Sequence, residues 1–292
     1  MNKAPPKIIF TGAVQNSANY LTSVFRNIQN ISGLFSDVGY VFVENDSIDN
    51  TKQILKDWGE GKENFHIINL DGLKTISIRT IRLEIVRNTY LEIIKHYDKL
   101  RQFDYVIVLD MDNSGSYAID PQEVTNAINF LNASPTRAAV FANQKGPYYD
   151  MWALRITPQC PGDIWEDVLD YVIKNKCPDE VAYIESFSKR IFSIEDSHDP
   201  IEVESAFGGF GIYKMKYILN NPNPYLGSKI KIVPLEDGTT WYARWQVCEH
   251  VHFHAGIKTQ GGEMYIYPKL INGINKEGDF SPSPSAFRGL LF

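Results

Sequence analysis

A chain of 292 residues, 43% of them hydrophobic and with a mean hydropathy of -0.25, can bury a sizeable core, and no apolar run approaches the roughly 18 residues that a membrane span requires. Its net charge of -6 and pI near 5.6 exclude the basic footprint of a nucleic-acid binder, so a phosphate-bearing ligand must be held locally. Cys160, Cys177 and Cys248 are scattered with no CxxC spacing, which argues against a disulfide scaffold or a cysteine zinc site and for a reducing compartment.

The chain enters a strand at residues 7–14 ("KIIFTGAV") with no signal-peptide core before it. Together with the lack of a transmembrane segment, this predicts a cytoplasmic protein, with peripheral association at a membrane left open. Residues 17–31 read as an amphipathic helix and 38–46 ("VGYVFVEND") as a second strand, a β-α-β unit. A helix follows, N-capped by Ser47 or Asp49 and ended by Gly59 or Gly61. Residues 65–71 predict a third strand, 77–100 a long helix and 104–112 ("DYVIVLDMD") a fourth strand. Strands alternating with helices of this length imply an α/β fold with a mostly parallel central sheet flanked by helices. Past residue 130 the rhythm loosens: 136–144 predicts a strand, 162–175 a helix, and 207–218 a Gly-rich strand turning into a helix. The Pro/Ser-rich segment "SPSPSAFRGLLF" predicts an irregular tail, and no repeat or linker divides the chain.

In such sheets ligands sit outside the carboxyl ends of the strands, and both acidic clusters, "VEND" and "DMD", fall at that edge. Asp110 and Asp112 are two apart, which on an extended chain turns both carboxylates to one face and Met111 into apolar packing. Side by side they repel each other and resist desolvation unless a cation or proton intervenes. Asp, Asn, Ser and Gly are also ordinary turn formers, so a plain polar turn is the bland alternative.

Three chemistries suit the pair. "VIVLDMDNS" matches the hydrophobic strand and DxD of haloacid-dehalogenase phosphatases, with Asp110 as nucleophile and Asp112 as acid/base, but more than a hundred residues precede it and "PLEDG" (234–238) lacks the spacing of the later acidic pair. If "CEHVHFH" is extended, His250, His252 and His254 share a face as a zinc triad, which leaves the DMD cluster unexplained. A nucleotide-sugar glycosyltransferase accounts for more: it needs a divalent cation on the donor diphosphate, and a DXD at a strand end supplies the oxygen ligands that Mn2+ or Mg2+ prefers. An inert nucleotide-sugar-binding module is the non-enzymatic rival.

The element order, "ENDSIDNT" (44–51), "RTIRLEIVRN" (79–88) and "DMD" resemble the GT-A class of glycosyltransferases. "GPYYDMWALR" (146–155), "AFGGFGIYK" (206–214) and "CEHVHF" (248–253) resemble more narrowly the fungal capsule-associated α-1,3-mannosyltransferases and their bacterial and viral relatives, over residues 7–272. The resemblance implies a single GT-A (Rossmann-like) domain across 1–292, with a nucleotide-binding half at 7–115, an acceptor and metal half at 116–272 and a tail at 273–292. It implies retaining transfer of a hexose, mannose in the best-known members, from a GDP- or UDP-sugar to a glycan or glycoconjugate acceptor. The fungal members are type II membrane proteins, whereas this sequence shows no anchor.

The resemblance also suggests roles. Glu44 and Asp46 stand where GT-A enzymes hold base and ribose, with helix capping as the bland alternative. Arg79 and Arg87 match arginines that contact the diphosphate, with solvated helix charges as the alternative. Asp112 is expected to touch the metal directly, and Asp110 to reach the ribose, the metal or its bound water. A third ligand in this fold class comes from the C-terminal part, commonly a histidine; no histidine follows His252 and His254, so His254 or His252 is expected, with Asn272 a weaker candidate. Tyr148, Tyr149 and Trp152 offer faces for stacking on a sugar, and Asp150 can accept from its hydroxyls. Gly208, Gly209 and Gly211 let backbone approach a ligand. Glu249 falls where GT-A enzymes place an acidic residue beside the acceptor hydroxyl: a general base under inversion, a positioning group under retention.

Overall fold

The computed structural model describes residues 4–234 and 237–276. The first half alternates as β1 (Lys7–Val14), α1 (Ala18–Ser32), β2 (Asp37–Glu44), α2 (Thr51–Gly59), β3 (Phe65–Asn69), α3 (Arg79–His96) and β4 (Tyr105–Leu109). The second half continues with α4 (Pro121–Asn132), β5 (Arg137–Lys145), α5 (Ile164–Asn175), α6 (Asp179–Ser186), β6 (Ile201–Val203), β7 (Phe210–Lys214) and α7 (Met215–Leu219). It closes with β8 (Ser228–Pro234), β9 (Thr240–Gln246), α8 (Glu249–Thr259) and β10 (Glu263–Ile274). Most of the tail expected at 273–292 lies outside the described residues, and β10 runs through its first positions.

The main sheet has eight strands in the order β3-β2-β1-β4-β7-β5-β10-β6, while β8 and β9 form a separate hairpin. It is mostly parallel; β7, wedged between β4 and β5, and β6 at the far edge run antiparallel. Burial explains the sequence pattern. Ile9, Val41, Val43, Val106 and Val108 point to the face covered by Val86, Tyr90, Leu91 and Ile94 of α3. Ile8, Phe10, Phe42, Ile107 and Leu109 point to the face covered by Leu21, Val24, Phe25 and Ile28 of α1. Strands covered on both faces need apolar residues at every position, hence near-continuous aliphatic runs rather than alternation.

Val14 pairs with Glu44, and Thr11 with Val108, so β1, β2 and β4 end together at one edge of the sheet. The chain reverses after β4 through Ser114–Ser116, and this reversal requires a glycine: a Cβ on Gly115 would lie 1.8 Å from the Asp110 carbonyl oxygen. The local turn chemistry and the edge position therefore reinforce each other, and the turn carries the carboxylates out of the core.

The histidine segment corrects the extended reading. Residues 249–259 are helical because His250, Phe253, His254 and Ile257 form a buried stripe at helical spacing, which outweighs the two-residue alternation of the histidines. His252 faces outward, with Nδ1 hydrogen-bonded to the Pro224 carbonyl at 2.9 Å. The three imidazoles do not share a face. Among the described residues, no helix is long and apolar enough to cross a membrane.

Candidate active site

Met111 is 1% exposed in the apolar layer beneath α1, as its place between two aspartates predicts. Asp112 is exposed, and its Oδ1 accepts from the Ser114 amide at 2.9 Å. Asp110 is more enclosed: its amide donates to the Gly209 carbonyl at 2.9 Å and its Oδ2 accepts from the Tyr149 hydroxyl at 3.4 Å.

Arg79, Leu83 and Arg87 recur every four residues on α3 and turn one stripe toward these carboxylates. Arg87, 4% exposed, is the hub. Its Nε donates to Glu249 Oε1 at 2.8 Å, its Nη1 to the Tyr90 hydroxyl at 3.2 Å, and its Nη2 lies 3.8 Å from Asp110 Oδ1. Phe207 and Tyr225 flank the guanidinium, with ring centroids 5.2 and 5.7 Å away. A buried cation with two carboxylate partners and two aromatic faces is both held and electrostatically satisfied.

The segment after β5 adds Asp150, whose Oδ2 accepts from the Gly208 amide at 3.1 Å and whose Oδ1 accepts from the Ala153 amide at 3.4 Å. Gly209 has φ 79°, and a Cβ there would crowd the Tyr149 hydroxyl at 3.0 Å and Asp110 Oδ2 at 3.1 Å. Gly209 thus brings backbone up against the carboxylate site.

Two cavities meet at Arg79, Leu83, Arg87 and Asp110. One, of about 150 Å3, is lined further by Gln15, Ser17, Asn45, Arg82 and Asp112. The other, of about 180 Å3, reaches Tyr149, Asp150, Trp152, Phe207, Glu249 and His250.

Burial and the neighbouring charge of Asp112 push the Asp110 carboxyl up to about 7, against the pull of Arg87. Burial, resisted by the Gly208 and Ala153 amides, also raises Asp150. Burial and the Asp110 and Asp150 charges hold the Tyr149 phenol well above its ordinary value, so it remains a donor. The Asp110 shift has a measurable consequence. Folding raises its pKa from 3.8 to about 7, so between those pH values the folded protein keeps a proton that the unfolded chain has released, and stability falls as pH rises through that window. Urea unfolding of the cation-free protein should show this loss, and Asp110→Asn should flatten the profile; parallel profiles for the two proteins would refute the assignment.

The structure brings Arg79, Arg87, Asp110, Asp112, Asp150 and Glu249 together at one cleft. Glu44 and Asp46 stand beside it but are engaged with backbone. Glu44 is buried, with Oε1 accepting from the Ser47 amide at 2.7 Å, and Asp46, at φ 53°, accepts from the Gly72 and Lys74 amides at 2.6 and 2.7 Å. Asn45 between them lines the cavity. His254 corrects the expectation of a third metal ligand. It is fully buried, Nδ1 is hydrogen-bonded to Ser205 Oγ at 2.8 Å and Nε2 to the Tyr213 hydroxyl at 2.9 Å, and it lines neither cavity. The helical register that buries Phe253 and Ile257 turns His254 into the core. Among the described residues, no cluster of three or more His, Cys, Asp or Glu is arranged around a metal position.

Sequence reasoning gave Asn45 and Arg82 no role, and weighed His250 only as part of an extended zinc triad. His250 is 2% exposed, stacks on Phe207 at 4.1 Å between centroids, and has no hydrogen-bond partner on either ring nitrogen among the described residues. Burial, then Arg87 and His254, drives its pKa well below the ordinary histidine value, so it is a neutral imidazole in the wall of the second cavity. Its position next to Glu249 was the available signal, masked by the extended reading.

No protein-family model matches the chain, and no curated protein matches it in sequence. In structure it is similar to the mannosyltransferase PcManGT from Pyrobaculum calidifontis in complex with GDP-Man and Mn2+, at 13% identity and a TM-score of 0.50, over 96% of this chain and 59% of that one. The fold is that of GT-A glycosyltransferases. S. aureus TarS 1-349 in complex with UDP-GlcNAc also aligns, at 13% identity and a TM-score of 0.49, over 97% of this chain and 64% of that one. The chain spans less than two thirds of the length of either.

Proposed function

We propose that the protein is a metal-dependent glycosyltransferase that moves a hexose, mannose first among the candidates, from a GDP- or UDP-sugar to a glycan acceptor with retention of configuration. The observation that carries this reading is the cleft in which Asp110 and Asp112 face Arg79, Arg82 and Arg87 at the carboxyl edge of the parallel strands. The complex of PcManGT with GDP-Man and Mn2+ supports it at the level of a shared fold.

The donor set fits a hard cation. Asp112 and Asp110 offer carboxylate oxygens, and a cation between them would relieve the repulsion of the two neighbouring charges. Asp112 and Asp110 would hold Mn2+ or Mg2+, and the cation supplies neutralisation of the leaving nucleoside diphosphate. The chain's own residues do the rest. Arg79 and Arg82 present charge to the phosphates, while Arg87, fixed by Glu249, stabilises negative charge developing near Asp110. Glu44 and Asp46 shape the loops that present Gln15 and Asn45 to the nucleoside. Asp150 and Trp152 face the sugar, and Glu249, held by Arg87, positions the acceptor hydroxyl rather than removing its proton.

Thermal-shift measurements with GDP, UDP and their sugars test this reading. A donor at 100 times its Kd adds about 2.7 kcal/mol of stability, and we expect such a shift only with Mn2+ or Mg2+ present. No metal-dependent shift with any nucleotide would sink the proposal. The stereochemical part is tested separately by NMR of the product from an α-linked donor. An α linkage is expected, with Glu249→Gln slowing transfer without a base-like pH profile; a β linkage would make Glu249 the general base.

A phosphatase of the haloacid-dehalogenase type would use Asp110 as nucleophile. Here that carboxylate faces Arg87 and Tyr149, and Asp237 of "PLEDG" accepts from the Thr239 amide on the β8–β9 hairpin; residues 235 and 236 lie outside the described residues. Trapping a phosphoryl-aspartate analogue at Asp110 with beryllofluoride would overturn the transferase reading.

A further inference from the structure

Beyond the two cavities of the cleft, a larger groove begins where the acidic motif ends. Asn113 and Ser114, which follow Asp112 directly, line it together with Ser116, Tyr117, Gln144, Tyr149, Asn272 and Asn275. Its volume of about 700 Å3 lies in the range of small-ligand sites, roughly 300–1,000 Å3. At Tyr117 and Ala118 it continues into a second hollow of about 550 Å3. Tyr149 is the link to the candidate active site, because its hydroxyl donates to Asp110.

The nearer groove is lined by amides, hydroxyls and two tyrosine rings, with Ala118 and Ile274 as its apolar side chains, and among the described residues no Lys, Arg, Asp or Glu lines it. At its floor Gln144 is 1% exposed, with Nε2 donating to the Gly208 carbonyl at 3.0 Å and to Asn272 Oδ1 at 2.8 Å. Those two acceptors fix the orientation of the amide and leave Oε1 buried with no partner among the described residues. An unpaired buried acceptor is left without compensation for its lost hydration, so a ligand hydroxyl that reaches it gains a contact.

From this lining we infer that the groove binds an uncharged oligosaccharide of two or more sugars, the acceptor of the proposed transfer, with one ring against Tyr117 and a hydroxyl donating to Gln144 Oε1. The inference rests on the transferase reading for the word acceptor, but the binding itself does not. A neutral polyol matches amides and hydroxyls that both donate and accept, whereas an anionic chain would meet no cation there.

The test is binding of the wild type, Ala118→Trp and Tyr117→Ser to arrayed oligosaccharides in the presence of GDP or UDP and Mn2+, with nucleotide thermal shift measured in parallel. The array carries neutral hexose oligomers beside uronate- and phosphate-bearing chains. Ala118 is exposed, so tryptophan there obstructs the groove without entering the core. Neutral oligomers should bind the wild type, and each substitution should weaken them at least tenfold while the nucleotide shift is unchanged. Binding only of charged chains, no binding of any oligosaccharide, or equal binding by the variants would overturn the inference. Neutral-glycan binding lost in the variants, with no nucleotide shift in any protein, would uphold the groove and overturn the transferase reading alone.

Discussion

Asp112→Asn is expected to lower kcat/KM for sugar transfer by on the order of 10³-fold, about 4 kcal/mol of transition-state stabilisation, while leaving the fold intact. The separation of the two effects follows from the geometry. Asp112 is exposed, and the one hydrogen bond described for its side chain, accepting the Ser114 amide, is available to an asparagine Oδ1 as well. What the substitution removes is a negative charge 2 residues from Asp110, and that charge is the second-largest cause of the raised Asp110 pKa. The variant should therefore unfold at or slightly above the wild-type temperature, show no cation-dependent nucleotide shift and transfer almost no sugar. Retention of a cation-dependent thermal shift would place the metal elsewhere.

The second large effect concerns stability. Arg87→Met should destabilise the protein by about 3–5 kcal/mol, because it leaves Glu249, whose side chain is 6% exposed, as a buried carboxylate without its cation. Methionine roughly preserves the volume between Phe207 and Tyr225, so the loss reports charge rather than a cavity. Combining Arg87→Met with Glu249→Gln should recover much of this cost, since the uncompensated charge goes with the second change. Chemical denaturation of the two single variants and the double variant measures the coupling. Additive losses would mean that Arg87 acts through packing alone. Both variants carrying Arg87→Met should be inactive, because stability and activity draw on different partners of the same guanidinium.

The first four strands and three helices were legible in the sequence because each is decided within a short window. The aliphatic run 105–109 reads as a strand covered on both faces, and "DMDNSG" places turn formers at its end, where the structure has its reversal. The second half was harder. β10 is long and buries every second residue from Met264 to Asn272, but apolar Tyr265, Tyr267 and Ile271 occupy the other face, Pro268 stands mid-strand and the register against β5 slips between Ile266 and Ile271, so the residue types do not spell out that alternation. β7 was expected as a strand, but its antiparallel insertion between β4 and β5 depends on partners far away in the chain.

The candidate site divides in the same way. The sequence by itself determined that two carboxylates end a buried strand on the ligand edge of an α/β sheet and that a helix bearing Arg79 and Arg87 precedes them, because hydrophobic period and turn chemistry act locally. Only the tertiary structure decided that Arg87 is bound to Glu249, 162 residues away, that His254 is consumed by Ser205 and Tyr213, and that His250 and Gln144 keep polar atoms without a hydrogen-bond partner among the described residues. The "CEHVHFH" segment shows why. Its alternation fits a strand and its spacing fits a helix, and the choice was made by the core that receives Phe253 and Ile257, a long-range burial that no local window contains.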